Sequence, residues 1–407
     1  MNKKNFLEGI MVGIVLAMSV NVLASFALPA LNGISAAAAS SSAKVSEPGR
    51  LSTDIKLDKI HNIIDKNYVG EYSDDTLEDS MYWGLVAGLD DVYSSYMSKD
   101  EFTIFNEQTE GQYAGIGAVV TSTEDGRVMV VSPYDGSPAA NAGILPKDII
   151  MEVNGMDTRG AGLDTVVSMM KGEPGTSVNI TLYREMEGRT FDVTIVRDTI
   201  IIQTVSHKMI DENIGYIRLS GFERVTYKQF VTALNSLKAD GADGFILDVR
   251  NNPGGLLDTV ADITNLLVPS GDIVYTEDKN GEKQYLKSDK HYLGLPIILL
   301  VNGNSASASE VMAGAIKAHG VGVLIGEQTF GKGVVQNIFP LEDGSAVKVT
   351  IAHFYSPNGI CIHGEGITPD HIVEMDPELS ANVATLTYEE DIQLQKAVEV
   401  ITEMIEQ

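Results

Sequence analysis

The chain has 407 residues and a formal charge of −27, from 29 Lys and Arg against 56 Asp and Glu. That length allows two or three compact units with real cores, and the acidic balance excludes a nucleic-acid binder, which needs clustered cations for phosphate contacts. Cys361 is the single cysteine, so an intrachain disulfide and a cysteine-based metal site are both excluded. The seven histidines contain no HExxH pairing. No metal and no cofactor are expected.

At the N-terminus, Lys3 and Lys4 precede an apolar run from Ile10 to Leu31. A run of about twenty residues is long enough to span a bilayer, while residues 36–39 offer a small-residue cleavage site. Residues 1–35 are therefore expected to be a signal anchor or a cleaved signal peptide, residues 36–48 an Ala/Ser-rich linker, and the working part of the chain extracytoplasmic. Residues 49–95 carry helical spacing, with Leu57, Ile60, Ile63 and Ile64 on one face and Leu77, Met81, Leu85 and Leu89 on another.

From Gln112 to Arg197 the pattern changes to short β-branched runs separated by Gly, Pro, Asn and Asp: GIGAVV, RVMVV, DIIMEVNG, SVNITLYR and FDVTIVR, with a helix over 161–170. Beyond Ile214, strands and helices alternate. GYIRLSGF reads as a strand, 226–238 as a helix and 244–249 as an apolar strand. The turn Asn251-Asn252-Pro253-Gly254-Gly255 opens a helix over 256–267, and the apolar strand 296–301 leads to a helix over 307–319. This alternation predicts a mixed α/β core. Residues 388–406 read as a terminal helix.

The most informative stretch is 301–336, VNGNSASASEVMAGAIKAHGVGVLIGEQTFGKGVVQ. Ser307 to Glu310 matches a capping box, and most serines in that setting only cap a helix. A helix N-terminus also favours negative charge, so a nucleophile at Ser307 would develop its oxyanion against the Ala308 N–H. Gly254 and Gly255 can present further N–H groups without side chains in the way. With no histidine at hand, Lys332 is the candidate base. That role near pH 7 requires a pKa about three units below the ordinary value, which burial can supply. Gln336 could hold the amine if the strand bends near Gly331 and Gly333. The run from Gly326 to Lys332 also fits G-x-x-x-x-G-K, but Gly333 stands where a phosphate loop has Ser or Thr, and VVQNIF reads as a strand; a nucleotide site is rejected.

These segments resemble the C-terminal processing peptidases, or tail-specific proteases. NSASASE is similar to that family's nucleophile segment, TFGKGVVQ to its lysine segment, 25 positions on from Ser307, and RNNPGG to its oxyanion turn. The resemblance implies Ser307 as nucleophile, Lys332 as general base, Gln336 as the residue that positions it, and the N–H groups of Ala308, Gly254 and Gly255 as oxyanion donors. It implies an α/β multidomain protein: a crotonase- or caseinolytic-protease-like α/β peptidase core, a β-rich PDZ domain, and N- and C-terminal helical segments. Tyr113-Ala114-Gly115-Ile116-Gly117 resembles the PDZ carboxylate-binding loop; the family usually has Gly where this chain has Lys147.

The expected organisation is helical over 49–95, PDZ over 96–198, peptidase core over 199–380 and a C-terminal helix over 381–407. The function that follows is a serine endopeptidase acting on proteins or peptides with free C-termini, homodimeric, membrane-associated and with no nucleic-acid partner. The alternatives are a catalytically silent PDZ scaffold at the membrane and an esterase- or amidase-like enzyme for small substrates.

Overall fold

The computed structural model describes residues 53–407; the expected signal or anchor and the linker lie outside them. Two compact units divide the chain between Leu85 and Val86. The described part of the first is helical, with α1 (Thr53–Asn67), followed by α2 (Asp74–Ala87), which runs across the division. Among the described residues no helix is long and apolar enough to cross a membrane.

The second unit begins with β1 (Ser95–Met97) and α3 (Lys99–Glu110). Ser98 caps α3 through a complete capping box with Glu101, and Gly111 ends it at φ 68°. Then come β2 (Gln112–Gly115), β3 (Ala118–Ser122), β4 (Val128–Pro133), the short α4 (Pro138–Asn141), β5 (Ile149–Val153), β6 (Met156–Asp157), α5 (Leu163–Met170), β7 (Ser177–Arg184), β8 (Arg189–Val196) and β9 (Asp198–Ile201). One sheet has the order β3-β4-β5-β7-β8 with β6 on β5, while β2 pairs with β9. The alternation in SVNITLYR buries Val178, Ile180 and Leu182, which meet Val130, Ile150, Val166 and Met170 in a core of their own. Lys147 adopts φ 72°, a conformation glycine takes freely and an L side chain adopts at a cost of about 1–2 kcal/mol. That explains why glycine suits this turn.

The chain continues through β10 (Val205–Asp211), β11 (Ile214–Leu219), α6 (Thr226–Ala239), β12 (Gly244–Asp248), α7 (Leu257–Asn265), β13 (Gly271–Asp278), β14 (Lys283–Ser288), β15 (Ile297–Val301), α8 (Ala308–His319), β16 (Gly322–Gly326), β17 (Val334–Pro340), β18 (Ala346–Tyr355), β19 (His371–Ile372), α9 (Pro377–Ala381) and α10 (Ile392–Glu406). The central sheet has the order β10-β11-β12-β15-β16-β19, parallel from β11 onward. GFILD and IILLV are buried at every position, as expected for parallel strands covered on both faces. Phe245, Leu247 and Leu299 face the α6–α7–α8 side; Ile246, Ile298 and Leu300 face Leu394, Ala397 and Ile401 of α10. A second sheet, β1-β18-β13-β14 with β17 on β18, flanks this core.

Candidate active site

Three neighbouring parallel strands deliver the candidate residues to one end of the central sheet. Leu247 and Asp248 of β12 pair with Leu299 and Leu300 of β15, and Val301 of β15 pairs with Gly326 of β16. The segments leaving these strands are the Asn251–Gly255 turn, the Ser307 loop and the lysine loop. Crevices at the carboxyl ends of parallel strands are the usual ligand sites of such sheets.

Hydrogen bonds lock the first two segments together. Asn252 O accepts from Ala306 N–H at 3.0 Å and from Ser309 Oγ at 2.9 Å. A methyl group at Gly254 would lie 2.9 Å from Ser307 Cβ and 3.0 Å from Ala308 N, so only glycine fits there. Gly254 N–H donates to Asn252 Oδ1 at 2.9 Å. Of the three N–H groups expected to bind an oxyanion, those of Ala308 and Gly255 are left without a protein acceptor among the described residues.

Ser307 precedes α8 with φ 55° and ψ −112° in a capping box with Glu310, whose N–H also donates to the Ser307 carbonyl at 2.9 Å. The backbone is held in a sparsely populated region that costs about 1–3 kcal/mol. Glu310 does the holding. Fully buried, its carboxylate accepts Ser307 N–H at 2.8 Å and Lys332 N–H at 2.9 Å on Oε2, and Thr329 Oγ1 at 2.6 Å and Gly331 N–H at 2.7 Å on Oε1. One carboxylate thus joins the serine loop to the lysine loop. The capping motif was legible in the sequence, whereas the partners of Oε1 carried no signal there.

Burial, reinforced by the nearby Lys348 charge, holds the Lys332 amine below the ordinary lysine range, with Glu310 and Asp91 opposing. Nζ lies 5.0 Å from the centroid of the Tyr93 ring, a residue the sequence did not single out. No hydrogen bond joins the Lys332 amine to Ser307 or Gln336 among the described residues. Strand β17 does bend, with a register shift between Val335 and Gln336, but the Gln336 amide points to Val334 O and Thr350 Oγ1, each at 3.4 Å.

Behind the turn, Arg250 is fully buried and donates to Asp248, Asp391 and Gln393. Burial alone would raise the Asp248 carboxyl; the Arg250 and Arg218 charges outweigh it and hold the group at about 2. This cluster pins the start of α10 beneath the Asn251–Gly255 turn.

Tyr113, Gly115, Ile116 and Gly117 of the expected carboxylate loop line a cavity of about 80 Å³ with Ala118, Val120, Val167, Met170 and Lys171. Ala114 lies on the same strand, pairing with Thr199. Lys171, just past α5, is ion-paired with Glu107 of α3 and lies over the Tyr113 ring at 5.4 Å.

Residues 213–373 match the family model of peptidase family S41, and residues 114–195 match that of the PDZ domain. The chain is 40% identical over 322 residues to the carboxy-terminal processing protease CtpA of Bacillus subtilis, covering 79% of this chain and 69% of that protein. It is 36% identical over 332 residues to a probable CtpA-like serine protease of Staphylococcus saprophyticus, covering 81% and 67%. Among solved structures, the photosystem II D1 C-terminal processing protease is similar at 29% identity, covering 78% of this chain and 86% of that one, with a TM-score of 0.46. By the extent of its likeness to CtpA and its match to the S41 model, the chain belongs to the C-terminal processing peptidases of family S41, serine-type peptidases that here carry a PDZ domain.

Proposed function

We propose that this peptidase is an extracytoplasmic endopeptidase that selects protein substrates by their free C-termini and cleaves them with Ser307 and Lys332. The observation that carries this reading is the convergence at one sheet end of a serine at a helix N-terminus, two available N–H groups and a desolvated lysine, joined through Glu310. Ser307 Oγ attacks the scissile carbonyl as its proton passes to Lys332. The Ala308 and Gly255 N–H groups stabilise the tetrahedral oxyanion. Lys332 then protonates the leaving amine, and a water, deprotonated by the same lysine, releases the acyl group from Ser307. With its amine over Tyr93, Lys332 must swing toward Ser307 for the first transfer, and Gln336, whose amide here meets Val334 O and Thr350 Oγ1, would have to turn to hold it.

The PDZ cavity supports tail selection: a chain end can extend along β3, its carboxylate meeting the N–H groups of the Gly115–Gly117 loop. The test compares native protein with Ser307→Ala on an unfolded substrate whose apolar C-terminus is free or amidated. Cleavage by the native form alone, at least about tenfold faster on the free tail, is the expected result. Equal cleavage by both proteins removes the nucleophile, and equal rates on both tails remove the selection.

Association with a membrane through residues 1–35 and homodimerisation belong to the same proposal. Ile60 and Ile63 of α1, and Met81 and Trp83 of α2, are exposed apolar residues suited to burial in a dimer. Sedimentation equilibrium should give twice the chain mass; a monomer at every concentration would refute that part.

A further inference from the structure

We infer that His353 and His363 form a site for one divalent transition-metal ion, of the zinc, nickel or copper class. Both lie on the hairpin that follows Lys332. Tyr355, the last residue of β18, bridges antiparallel to Cys361, and Ile362 N–H donates to Phe354 O at 3.3 Å. Two residues outward from that bridge on each arm are His353 and His363. His353 itself pairs with Val334 of β17 and Glu277 of β13, so its ring meets that of His363 across the place where the returning arm leaves the bridge. The two rings lie next to each other, tilted, with centroids 5.3 Å apart and planes at 50°.

That separation suits chelation. Two imidazoles bound tetrahedrally to zinc, with metal–nitrogen distances of about 2.1 Å, have centroids about 5 Å apart. Both residues are exposed, and neither ring is tied up by a hydrogen bond or ion pair among the described residues. Tyr93 packs edge-on against His363 at 6.4 Å and limits its ring's freedom. The backbone is equally fixed: a methyl at Gly333 would lie 2.1 Å from His363 N, so the hairpin is clasped against the lysine loop. Imidazole pairs select borderline metals over magnesium and calcium, which prefer oxygen ligands. No third histidine, cysteine or carboxylate completes the set among the described residues. Water would fill the remaining positions, making the ion exchangeable rather than structural, and its seat lies on the wall of the lysine loop.

The test titrates the untagged full-length chain with nickel chloride by calorimetry, in excess magnesium to occupy the acidic surface. One equivalent should bind. His353→Gln and His363→Gln should each weaken binding by about tenfold or more, while His291→Gln, an exposed histidine elsewhere, should leave it intact. Nickel should raise the melting temperature of the native protein but not of the two site variants, whose melting in chelator should match the native because both rings are exposed. Absence of nickel binding, or binding that survives both substitutions, overturns the site.

Discussion

The Ser307 backbone, at φ 55° and ψ −112°, is a conformation that no residue of this type adopts for its own sake. It persists because Glu310 and the Asn252 contacts hold it from both sides. The sequence offered the serine, the lysine and their spacing, but it could not show Tyr93, which arrives from more than two hundred residues earlier in the chain to lie beneath the Lys332 amine. Nor could it place Gln336, whose direction depends on a bulge in β17. The lysine carries a pH prediction. Its pKa is lowered by burial and by Lys348, so the neutral form needed for a base is reached at a pH below that of an ordinary lysine, and kcat/KM should rise with pH through that lowered value. Lys348→Gln removes a positive neighbour, which raises the Lys332 pKa and moves this limb to higher pH. A limb that stays in place, or moves down, in a pH–rate profile would show that Lys332 is not the titrating base.

At the level of elements, the apolar runs 244–248 and 297–301 were readable because both faces of those strands are covered, and a run without alternation is what double coverage requires. The helix α3 was not foreseen: KDEFTIFNEQTE buries no residue fully and sets only Phe102 and Phe105, both half-buried, three apart on one face, so the capping box and the Gly111 C-cap do much to define it. Glu310 shows a similar gap between local and long-range information. A capping box asks only for a glutamate at the third helical position, yet this one also accepts from the Thr329–Lys332 loop. In Glu310→Gln an amide nitrogen replaces one of the oxygens and faces donors with nothing to accept. The expected loss is about 2–4 kcal/mol of stability, read as a lower urea midpoint at unchanged m-value, together with a fall in kcat because the serine and lysine loops lose their shared anchor. Native-like stability with full activity would show that the other contacts suffice.

On the scale of the whole molecule, α3 stands between the PDZ cavity and the Asn251–Gly255 turn. Glu107 pairs with Lys171 beside the PDZ cavity, while Thr109 O accepts from Arg224 N–H and Glu110 pairs with the Arg224 guanidinium. Two residues before Arg224, Phe222 brackets the turn, donating its N–H to Gly254 O and accepting from Leu256 N–H. A contiguous set of contacts therefore runs from the PDZ cavity to the Asn251–Gly255 turn, and none of it was visible in the motifs, which are separate segments of the chain. If tail capture operates through that cavity, a negative charge in its apolar lining should oppose both an apolar tail and its carboxylate. Val167 lines the cavity, and Val167→Glu should cost about 2–3 kcal/mol of tail binding, or about 30- to 150-fold in the KM of a free-tailed substrate. Because a substrate with an amidated tail does not depend on capture of its carboxylate in this cavity, its rate should stay near the native value. A fall of equal size on both substrates would point instead to a general loss of structure or of communication with the turn. A KM unchanged on the free tail would place tail recognition elsewhere on the molecule.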